Sequence, residues 1–419
     1  MMEHQQPRID ALKKVLPDFE AQMAAAGKNV KVKLIENVSN DQEFQTKITL
    51  DYSTGAAVDV TSYPGSWVPD FAAAGYLLDL TDRLKAWPDW EQHFFKVLRD
   101  RTMSADGKIW WMPNGAVYES LWYRKDVLEA NGISTDQPKT WDELIDRMKQ
   151  LQAKLGDCKG GDGKCAIVIP AGTAWGSGTF DEGWIELFLG TGGKLYDDAT
   201  GKWIVRSKQI TETFAIYQRL VDNKLLPYKP LLNPNPWEPL VYKAFHDGDL
   251  SVITDGSYAW IFDFGPNGAA PIRDLFSVVS TWQFPTTNGS PPFVYASETW
   301  AWTISATAKH PDEAFELLKF LTSGKAAAVE YAAVGSMAVR DDMANIPPYS
   351  DYPFLVDGVK ALQTGRSLIY PVGITKIQEA VGKATEDVIT GAKDAAKAAE
   401  EFATIATEGL GADKVENAP

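Results

Sequence analysis

The sequence predicts an α/β fold in which parallel strands are covered by helices on both faces of a sheet. From Pro7, the residues Ile9, Leu12 and Leu16 share one face of a helix, and the alternating stretch KNVKVKLIENV follows it. A second amphipathic stretch, DQEFQTKITLDYSTG, then precedes the short apolar run AVDVTSYP. Strands that alternate with helices in this way form parallel sheets. The length of 419 residues allows two to three domains, at about 150 residues each.

The middle of the chain continues the alternation. The stretch SWVPDFAAAGYLLDLTDRLKAW has a helical pattern. Thr140 and Glu143 have the spacing of a capping box, which predicts a helix running to about Leu155. CAIVIPAG is an apolar strand, and DEGWIELFLGTGG is a helix that ends at glycines. KQITETFAIYQRLVDNKLL predicts a further amphipathic helix.

The last part of the chain predicts three more strands and a helical tail. LVYKAFHDGDLSVITDGSYAWIF contains a helix, a turn and a strand, and PIRDLFSVVSTWQFP ends in a strand before a Pro/Gly-rich connector. SETWAWTISATAKHPDEAFELLKFLTSG predicts a strand and then a helix with Pro311 near its start. From about Thr375 to Leu410 the chain is rich in Ala, Lys and Glu and helical in pattern.

Charge and hydropathy exclude two classes of partner. The net charge is -15 and the pI is about 4.8, and we find no basic stripe of the kind that binds phosphate backbones, so we expect no nucleic-acid partner. The same charge disfavours binding to an anionic membrane surface. No apolar run reaches the roughly 18 residues of a membrane-spanning helix.

The only two cysteines, Cys158 and Cys165, flank a short loop rich in Gly, Lys and Asp. A metal site would need more ligands nearby, so a disulfide is favoured over a metal site, with two reduced surface thiols as the alternative. A disulfide would place the protein in an oxidising compartment. Closing so short a loop contributes on the order of 2 kcal/mol of stability.

Catalytic and cofactor motifs do not emerge. The four histidines are widely separated, and the chain lacks HExxH, GxSxG, a P-loop and a calcium-binding loop. We therefore expect no metal and no cofactor. With 56 Asp and Glu residues, two carboxylates could face each other across a sugar, so a glycoside hydrolase stays open as the enzymatic alternative.

Several predicted loops combine flat aromatic rings with hydrogen-bonding groups. The C–H face of a sugar packs on Trp or Tyr, while its hydroxyls suit Asp, Glu, Asn, Gln and Arg. The stretches with this mixture are TSYPGSW (61–67), PNGAVYE (113–119), GTAWGSGTFDEGW (172–184), TDGSYAW (254–260) and SETWAW (297–302). They predict a sugar-binding site.

Each aromatic residue in these loops has a packing interpretation beside the binding one. Trp110, Trp122 and Trp302 are expected in the core. The interpretations are evenly balanced for the aromatic residues Trp67, Trp175, Tyr258 and Trp300, which stand beside Gly, Ser or charged residues. Ligands of open α/β sheets bind beyond the carboxyl ends of strands, which favours the residues that follow predicted strands. These are Tyr63, Ser66, Trp67 and Asp255. Glu298, before Trp300, is a weaker candidate.

The chain resembles the carbohydrate-binding proteins of bacterial ABC importers, the extracellular solute-binding family that includes the maltose-binding protein. The resemblance covers nearly all of the chain. The blocks that carry it are VDVTSYPGSWVPDFAAAGYLLDLTD, GKIWWMPNGAVYESLWYRKDVLEANG followed by TWDEL, GGKLYDD, AFHDGDLSVITDGSYAW and SATAKHPDEAFELLKFLTSGKAA. Each block alone is loose, and their order and spacing are specific.

The resemblance implies a two-lobed periplasmic-binding-protein fold, with each lobe a mostly parallel sheet flanked by helices and the ligand held between the lobes. Lobe 1 would comprise 1–117 and 284–325, and lobe 2 would comprise 123–280 and 338–419. Hinge segments would lie near 117–123, 280–285 and 325–338. A monomer without catalysis would capture a sugar, favouring a di- or oligosaccharide, and deliver it to a membrane permease. A polyol or an anionic sugar derivative remains open as the ligand.

The resemblance also carries individual ligand contacts onto this sequence. The loop after the "DV" strand falls on Tyr63, Ser66 and Trp67, and the aromatic residue after the "DG" turn falls on Tyr258. The other positions carried over are Gln5 and Gln6 with His4, Asn114, Tyr118, Trp175, Phe180, Glu182 and, more weakly, Arg340.

Two departures from the family's pattern concern the start of the chain and the cysteines. The family begins with a short apolar strand that is central in its sheet, and here we expect that strand to be missing, because of truncation or an unusual lobe. No signal peptide is present in the sequence, although the resemblance implies a periplasmic or extracellular, membrane-associated location. The cysteine pair is not general to the family.

Overall fold

The computed structural model describes residues 1–104, 106–296, 299–368 and 370–418. The chain divides into two compact units, each assembled from separate stretches of sequence. Unit 1 comprises Met1–Val117, Ser297–Gln363 and Leu368–Val372. Unit 2 comprises Tyr118–Ala296, Thr364–Ser367 and Gly373–Pro419. The hinge positions expected from the resemblance stay a prediction.

The strands are numbered in chain order. They are β1 Met2–Glu3, β2 Ile35–Glu36, β3 Val60–Pro64, β4 Met112–Ala116, β5 Glu119–Arg124, β6 Cys165–Ile167, β7 Tyr196–Asp197, β8 Lys202–Arg206, β9 Leu250–Gly256, β10 Val279–Trp282, β11 Thr299–Ile304 and β12 Val415–Asn417.

The helices are numbered in the same way. They are α1 Gln6–Ala25, α2 Asp41–Ser53, α3 Val68–Ala73, α4 Thr81–Lys85, α5 Pro88–Gln92, α6 Lys96–Thr102, α7 Lys125–Ala130, α8 Trp141–Leu155, α9 Ile185–Thr191, α10 Lys208–Asp222, α11 Tyr228–Leu231, α12 Leu275–Val278, α13 Pro311–Leu321, α14 Gly324–Val334, α15 Pro353–Thr364, α16 Ile374–Ile389 and α17 Ala395–Leu410. Two π-helical segments, Phe180–Trp184 and Glu238–Phe245, belong to unit 2.

The sheet of unit 1 has the strand order β2-β1-β3-β11-β4. β1 is parallel to β2 and β3, while β11 is antiparallel to both β3 and β4. The carboxyl ends of β1, β3 and β4 therefore meet the amino end of β11 at one edge, where Trp300 lies opposite Pro64. This edge gathers the loops that the sequence singled out in this unit.

The expectation that the first strand is missing is wrong. Met2 pairs with Ile35 on one side and Thr61 on the other, so β1 is a central strand of only two residues. Its length also explains why KNVKVKLIENV is a strand only at Ile35–Glu36, since β2 pairs with β1 alone.

One hydrophobic cluster of unit 1 joins residues of this sheet to the helices α2 and α3. Phe44 and Ile48 from α2 and Phe71 from α3 are buried against Tyr63 and Trp67. The long helix predicted over SWVPDFAAAGYLLDLTDRLKAW is divided into α3 and α4. Gly75 separates them. Its φ of +75° is left-handed backbone geometry, which glycine adopts without steric cost.

The main sheet of unit 2 has the strand order β10-β5-β9-β6, and β7, β8 and β12 form a small second sheet. β5 is antiparallel to β9 and β10, and β6 is parallel to β9. Glu119, the first residue of β5, lies opposite Gly256, the last residue of β9. Ser120 lies opposite Asp255, so the polar residues of these two strands meet at one edge.

The helical layer of unit 2 is built on aromatic stacking against an alanine-rich helix. The ring of Trp184 stacks on Phe188 with centroids 4.9 Å apart, and Phe402 of α17 lies 5.8 Å away. Alanines 395, 398, 399, 403 and 406 form the rest of the buried face of α17. Small side chains allow α17 to pack closely against α10 and α16, as the helical pattern of the tail predicts.

The aromatic-rich stretch at 107–128 is divided between the two units. Trp111 is buried in the core of unit 1. In unit 2, Trp122 packs on Trp260 with ring centroids 4.3 Å apart, and Tyr123 stacks on Trp282 at 4.0 Å. Most of these rings therefore pack within their own unit.

No helix within the described residues is both long enough and apolar enough to cross a membrane.

The predicted disulfide is confirmed: Cys158 and Cys165 are bonded and both are buried. The bond closes a loop that leads from the end of α8 into β6.

We expect the double variant Cys158→Ser/Cys165→Ser to have a free energy of unfolding about 2 kcal/mol lower than the wild type, because the unfolded chain regains the entropy of the open loop. Urea denaturation with and without reductant measures the difference. An equal stability of oxidised and reduced wild-type protein would contradict this account.

Candidate functional site

The edge of unit 1 carries a buried polar network centred on Glu3. Its Oε1 accepts from the backbone N–H groups of His4 at 2.7 Å and Gln5 at 2.9 Å, and its Oε2 accepts from Ser62 Oγ at 2.6 Å. Ser62 Oγ in turn accepts from Trp300 Nε1 at 2.6 Å. The short β1 thus fixes the indole of Trp300 through a single buried carboxylate.

Two cationic side chains balance the buried acids of this edge. Arg8 Nη1 lies 2.6 Å from Glu330 Oε1, and its guanidinium carbon lies 4.4 Å from the centroid of the Trp300 ring. His4 Nε2 lies 2.8 Å from Asp41 Oδ1. Burial opposes the charged imidazolium, but the hydrogen bonds to Asp41 and Glu3 outweigh it and raise the pKa of His4 to about 9. The edge is therefore charge-balanced without a ligand.

The other predicted residues of unit 1 differ in burial and in their hydrogen-bond partners. Asn114 is buried in β4 and its Nδ2 donates to Glu330 Oε1 at 2.7 Å. Gln5 Oε1 accepts from Arg8 Nε at 2.9 Å, and Gln6 is exposed with its Nε2 donating to Asp10. Ser66 is buried in the helical turn Gly65–Trp67. Glu298 lies outside the described residues.

Tyr63 and Trp67 are members of the hydrophobic core of unit 1, and Trp67 is only 2% exposed. Their rings stack with centroids 5.8 Å apart, and Tyr63 also meets Phe71 edge-on at 5.4 Å. We therefore assign them to packing. The sequence could not separate the two interpretations, because a residue that follows a strand can turn to either face of the sheet.

Arg340 is also held by its own unit. Its Nε and Nη2 donate to the two carboxylate oxygens of Asp342 at 2.9 and 2.6 Å, and Nη2 also donates to Asp89 at 2.9 Å. Nη1 donates to Ser323 Oγ at 3.3 Å. Each guanidinium nitrogen has a protein partner, so we assign Arg340 a structural role.

The edge of unit 2 brings several predicted residues together around Glu182. Trp175 Nε1 donates to Glu182 Oε2 at 3.0 Å, and Tyr258 Oη donates to Oε1 at 3.2 Å. The hydroxyl of Thr254 donates to the Glu182 carbonyl. Glu182 and Tyr258 are half-buried. Glu182 of the π-helical segment Phe180–Trp184 thus connects the ring of Trp175, which precedes that segment, to the ring of Tyr258, which follows β9.

Asp255 belongs to a group of four acidic side chains, which we name the acidic cluster. Its members are Glu119, Glu182, Asp255 and Asp263. Burial raises the pKa of Asp255 well above its ordinary value, and the charges of the other three members raise it further. Burial also raises the pKa of Asp263 to about 7, although Tyr242 donates to its Oδ1 at 3.1 Å.

Glycine at position 256 allows this arrangement. A Cβ there would lie 2.1 Å from Cε1 of Tyr258 and 3.0 Å from Oε2 of Glu119. The ring of Tyr258 and the carboxylate of Glu119 therefore approach the same point of the backbone. Tyr118 precedes them, half-buried, with its backbone N–H donating to Ser257 Oγ at 3.3 Å.

Comparison with known proteins identifies the family to which the chain belongs. The family model described as bacterial extracellular solute-binding protein matches residues 6–328. The chain belongs to this family. Among curated relatives, it is 24% identical over 250 residues to a probable ABC transporter-binding protein of Deinococcus radiodurans, a match that covers 60% of the chain and 55% of the relative. The chain thus spans about half the length of that relative.

Solved structures of similar fold match this solute-binding protein over almost its whole length. Maltose-bound MalE3 of T. maritima has a TM-score of 0.79 at 19% identity, with 98% of this chain and 99% of that chain covered. An ABC transporter solute-binding protein of Agrobacterium radiobacter K84, in complex with ribitol, has a TM-score of 0.77 at 22% identity, with 97% of each chain covered. These matches confirm the two-lobed periplasmic-binding-protein fold class.

Sequence reasoning missed several polar residues of this solute-binding protein. Glu119 ends the stretch PNGAVYE, which was singled out for other residues, and its place at the start of a strand was the available signal. Asp263 and Tyr242 come from separate loops and helices, and nothing in their local sequence indicates that they meet. Arg8 and Glu330 lie 322 positions apart, so only the fold reveals their ion pair.

The variant Trp67→Ala tests the packing assignment. We expect it to lower the free energy of unfolding by about 3–5 kcal/mol, because it leaves a cavity in the core of unit 1. Trp110→Ala is the matched control, since Trp110 packs against the same core but is only half-buried, and its effect should be smaller. Chemical denaturation of both variants gives the comparison. Equal and small losses would return Trp67 to the list of ligand contacts.

The pKa of Asp263 predicts a pH dependence of stability in the unliganded protein. Between its ordinary pKa of 3.8 and about 7, the folded protein holds a proton that the unfolded chain has released. The free energy of unfolding therefore falls as pH rises through this range, by on the order of a few kcal/mol for a shift of this size. Glu182 and Asp255 face the group with negative charge, and Tyr242 donates to it.

Asp263→Asn should flatten this dependence, because asparagine does not ionise. Thermal unfolding at intervals from pH 4 to pH 8 measures the slope, with the exposed Asp198→Asn as a control that removes the same charge. An unchanged slope in Asp263→Asn would show that this carboxyl titrates normally.

Proposed function

We propose that the protein is the substrate-binding component of an ABC importer, and that it captures a sugar or polyol outside the cytoplasm for delivery to a membrane permease. Membership of the extracellular solute-binding family supports the transport role. The structural neighbours were solved with maltose and with ribitol, which supports a polyhydroxylated ligand. The buried disulfide suits an oxidising compartment.

The observation that carries the sugar assignment is the half-buried pair of Glu182 and Tyr258, whose carboxylate the buried Trp175 holds in place. Each oxygen of the Glu182 carboxylate accepts from one aromatic side chain, so ring and carboxylate are held in a fixed relation. A sugar needs this pairing, because its C–H face packs on a ring while the adjacent hydroxyls donate to a carboxylate. Pockets that orient small ligands use a few such fixed polar groups among apolar surfaces.

The edge of unit 1 offers a second element of the same chemistry. Trp300 is half-buried, its Nε1 is fixed by Ser62, and the guanidinium of Arg8 lies against its ring. A ring held on its polar edge and supported from one side has little rotamer freedom to lose. Such preorganisation favours stacking of a ligand. We propose that Trp300 contacts a ligand, together with Gln5, which accepts from Arg8, and Asn114, which donates to the Glu330 carboxylate that pairs with Arg8.

The acidic cluster decides between the ligand alternatives. Four acidic groups in one place repel a phosphate, sulfonate or carboxylate. Arg340, the residue expected to meet an anionic ligand, is bound by Asp342 and Asp89. We therefore propose a neutral or cationic sugar or polyol.

Buried carboxyls with raised pKa values also occur in glycoside hydrolases, where one of them acts as the general acid. We propose binding without catalysis, because the family is one of solute-binding proteins. The two functions differ in one product: a hydrolase releases monosaccharide from excess disaccharide, and a binding protein returns the disaccharide intact.

The test is isothermal titration calorimetry against monosaccharides, disaccharides, oligosaccharides and polyols. We expect saturable binding of at least one member of the panel at one site per chain, with the sugar recovered intact by chromatography afterwards. Absence of binding across the panel would contradict the sugar assignment, and release of monosaccharide would favour the hydrolase.

For the ligand found in this way, Tyr258→Ala should weaken binding by about 1–3 kcal/mol, because it removes both the ring and the hydroxyl that orients Glu182. Tyr196→Ala is the matched control, since Tyr196 lies in the small second sheet of the same unit and packs on Trp203. Equal affinities of the two variants would remove Tyr258 from the site.

A further inference from the structure

Two aspartates of the acidic cluster, Asp255 and Asp263, are buried in unit 2. Asp255 is 3% exposed and Asp263 is 1% exposed. Within the described part of the chain, neither carboxylate forms an ion pair with Lys, Arg or His, in contrast to Glu330 of unit 1, which pairs with Arg8. Burying like charges together is unfavourable unless a proton or another cation joins them.

The hydrogen bonds of the two aspartates are also incomplete. Asp255 Oδ1 accepts from the Gly256 N–H at 2.8 Å, and Asp263 Oδ1 accepts from the Tyr242 hydroxyl at 3.1 Å. The Oδ2 atom of each is buried and has no hydrogen-bond partner among the residues that the structure describes. A buried acceptor without a donor costs about 1–3 kcal/mol, and more when it is charged. Two acceptors are thus available to a donor from outside the chain.

Among the described residues, the acidic cluster lacks the three converging ligand atoms that a metal site needs. The set of three acidic or histidine ligand atoms found within 4.8 Å of one another in the described part of the chain is that of His93, Asp341 and Asp342 in unit 1. A metal ion needs several ligands at close range, whereas an ammonium group can donate to two carboxylate oxygens and leave its third N–H bond to another acceptor.

Aromatic rings border the same cluster. Burial and the charges of all four members raise the pKa of the Tyr258 hydroxyl. The ring of Tyr258 lies beside Gly256, next to the Glu119 carboxylate. Trp175, which donates to Glu182, packs on Trp237 with ring centroids 4.3 Å apart. Faces of Trp and Tyr attract cations, and this attraction adds to that of the carboxylates.

We propose that the ligand is an amino sugar or amino polyol whose protonated amine lies against Asp255 and Asp263. This inference rests on the proposed function and specifies its substrate class. The ammonium donates to the two aspartate Oδ2 atoms and offsets the charge of the cluster. A hydroxyl group donates one hydrogen bond and carries no charge, so a neutral sugar leaves the protons of the cluster in place.

Binding of the amine displaces protons from the cluster. Burial and neighbouring charge hold the pKa of Asp255 and Asp263 above the ordinary value, so the unliganded cluster retains protons near neutral pH. The groups that face them are Glu119 from β5, Glu182 and Tyr242 from the two π-helical segments, and Tyr258 after β9. An ammonium ion stabilises the ionised carboxylates, and the protons leave to solvent.

Calorimetry with matched sugars tests the proposal. Glucosamine, galactosamine and mannosamine are compared with glucose, galactose and mannose, so that each pair differs only at the substituent of carbon 2. In at least one pair we expect the amine to bind about tenfold tighter or more, because it donates charge-assisted hydrogen bonds. Repeating the titration in buffers of different ionisation enthalpy should show net proton release. Neutral sugars that bind as tightly as every amine would overturn the inference alone, while failure of both kinds to bind, together with the wider panel, would contradict the proposed function as well.

The variant Asp263→Asn sharpens the test. It should reduce the preference for the amine over its neutral partner by about tenfold, whereas Asp198→Asn, which removes one exposed charge from the same unit, should leave that ratio at the wild-type value. Circular dichroism melting establishes that each variant is folded, and Glu182→Gln provides a second variant of the cluster. An amine preference that survives in both cluster variants would overturn the proposal.

Discussion

The antiparallel pairing of β5 with β9 is the constraint on which the candidate site of unit 2 depends. It sets Glu119 opposite Gly256 and Ser120 opposite Asp255. A shift of one residue would turn every side chain of a strand to the other face of the sheet. The buried Trp122 holds the register, since its ring packs on Trp260 and its Nε1 donates to the Asp255 carbonyl at 3.0 Å. Packing in the sheet therefore determines which acidic groups meet at its edge.

The pKa values of buried carboxyl groups are shifted in opposite directions at Glu3 of unit 1 and at Asp255 and Asp263 of unit 2. In unit 1, burial opposes the ionisation of Glu3, but His4, Arg8 and the backbone N–H group of Gln5 together hold its pKa below the ordinary value. In unit 2, burial and mutual repulsion raise the pKa values of Asp255 and Asp263. The first arrangement pairs its central carboxylate with donors of the chain and positions Trp300. The second reaches its most favourable state when a donor from outside the chain is bound.

The sequence was sufficient for the α/β fold class, because helix and strand periodicity are local properties, and the family resemblance implied the two-lobed fold. It also indicated the disulfide, since two cysteines in a glycine-rich loop have few other uses. The roles of individual rings were not accessible. Trp67 and Tyr258 both follow strands, yet one packs in the core and the other meets Glu182. Only tertiary contacts distinguish them, as they do for Asp263, which comes from a loop without any local signal.

The most direct test of the account is a crystal structure of the protein with the sugar that binds it most tightly in calorimetry. The account predicts that the sugar ring contacts Tyr258, with a donor group of the sugar within hydrogen-bond distance of Glu182 or Asp255. A sugar bound away from this edge of unit 2, with the acidic cluster unchanged, would contradict it.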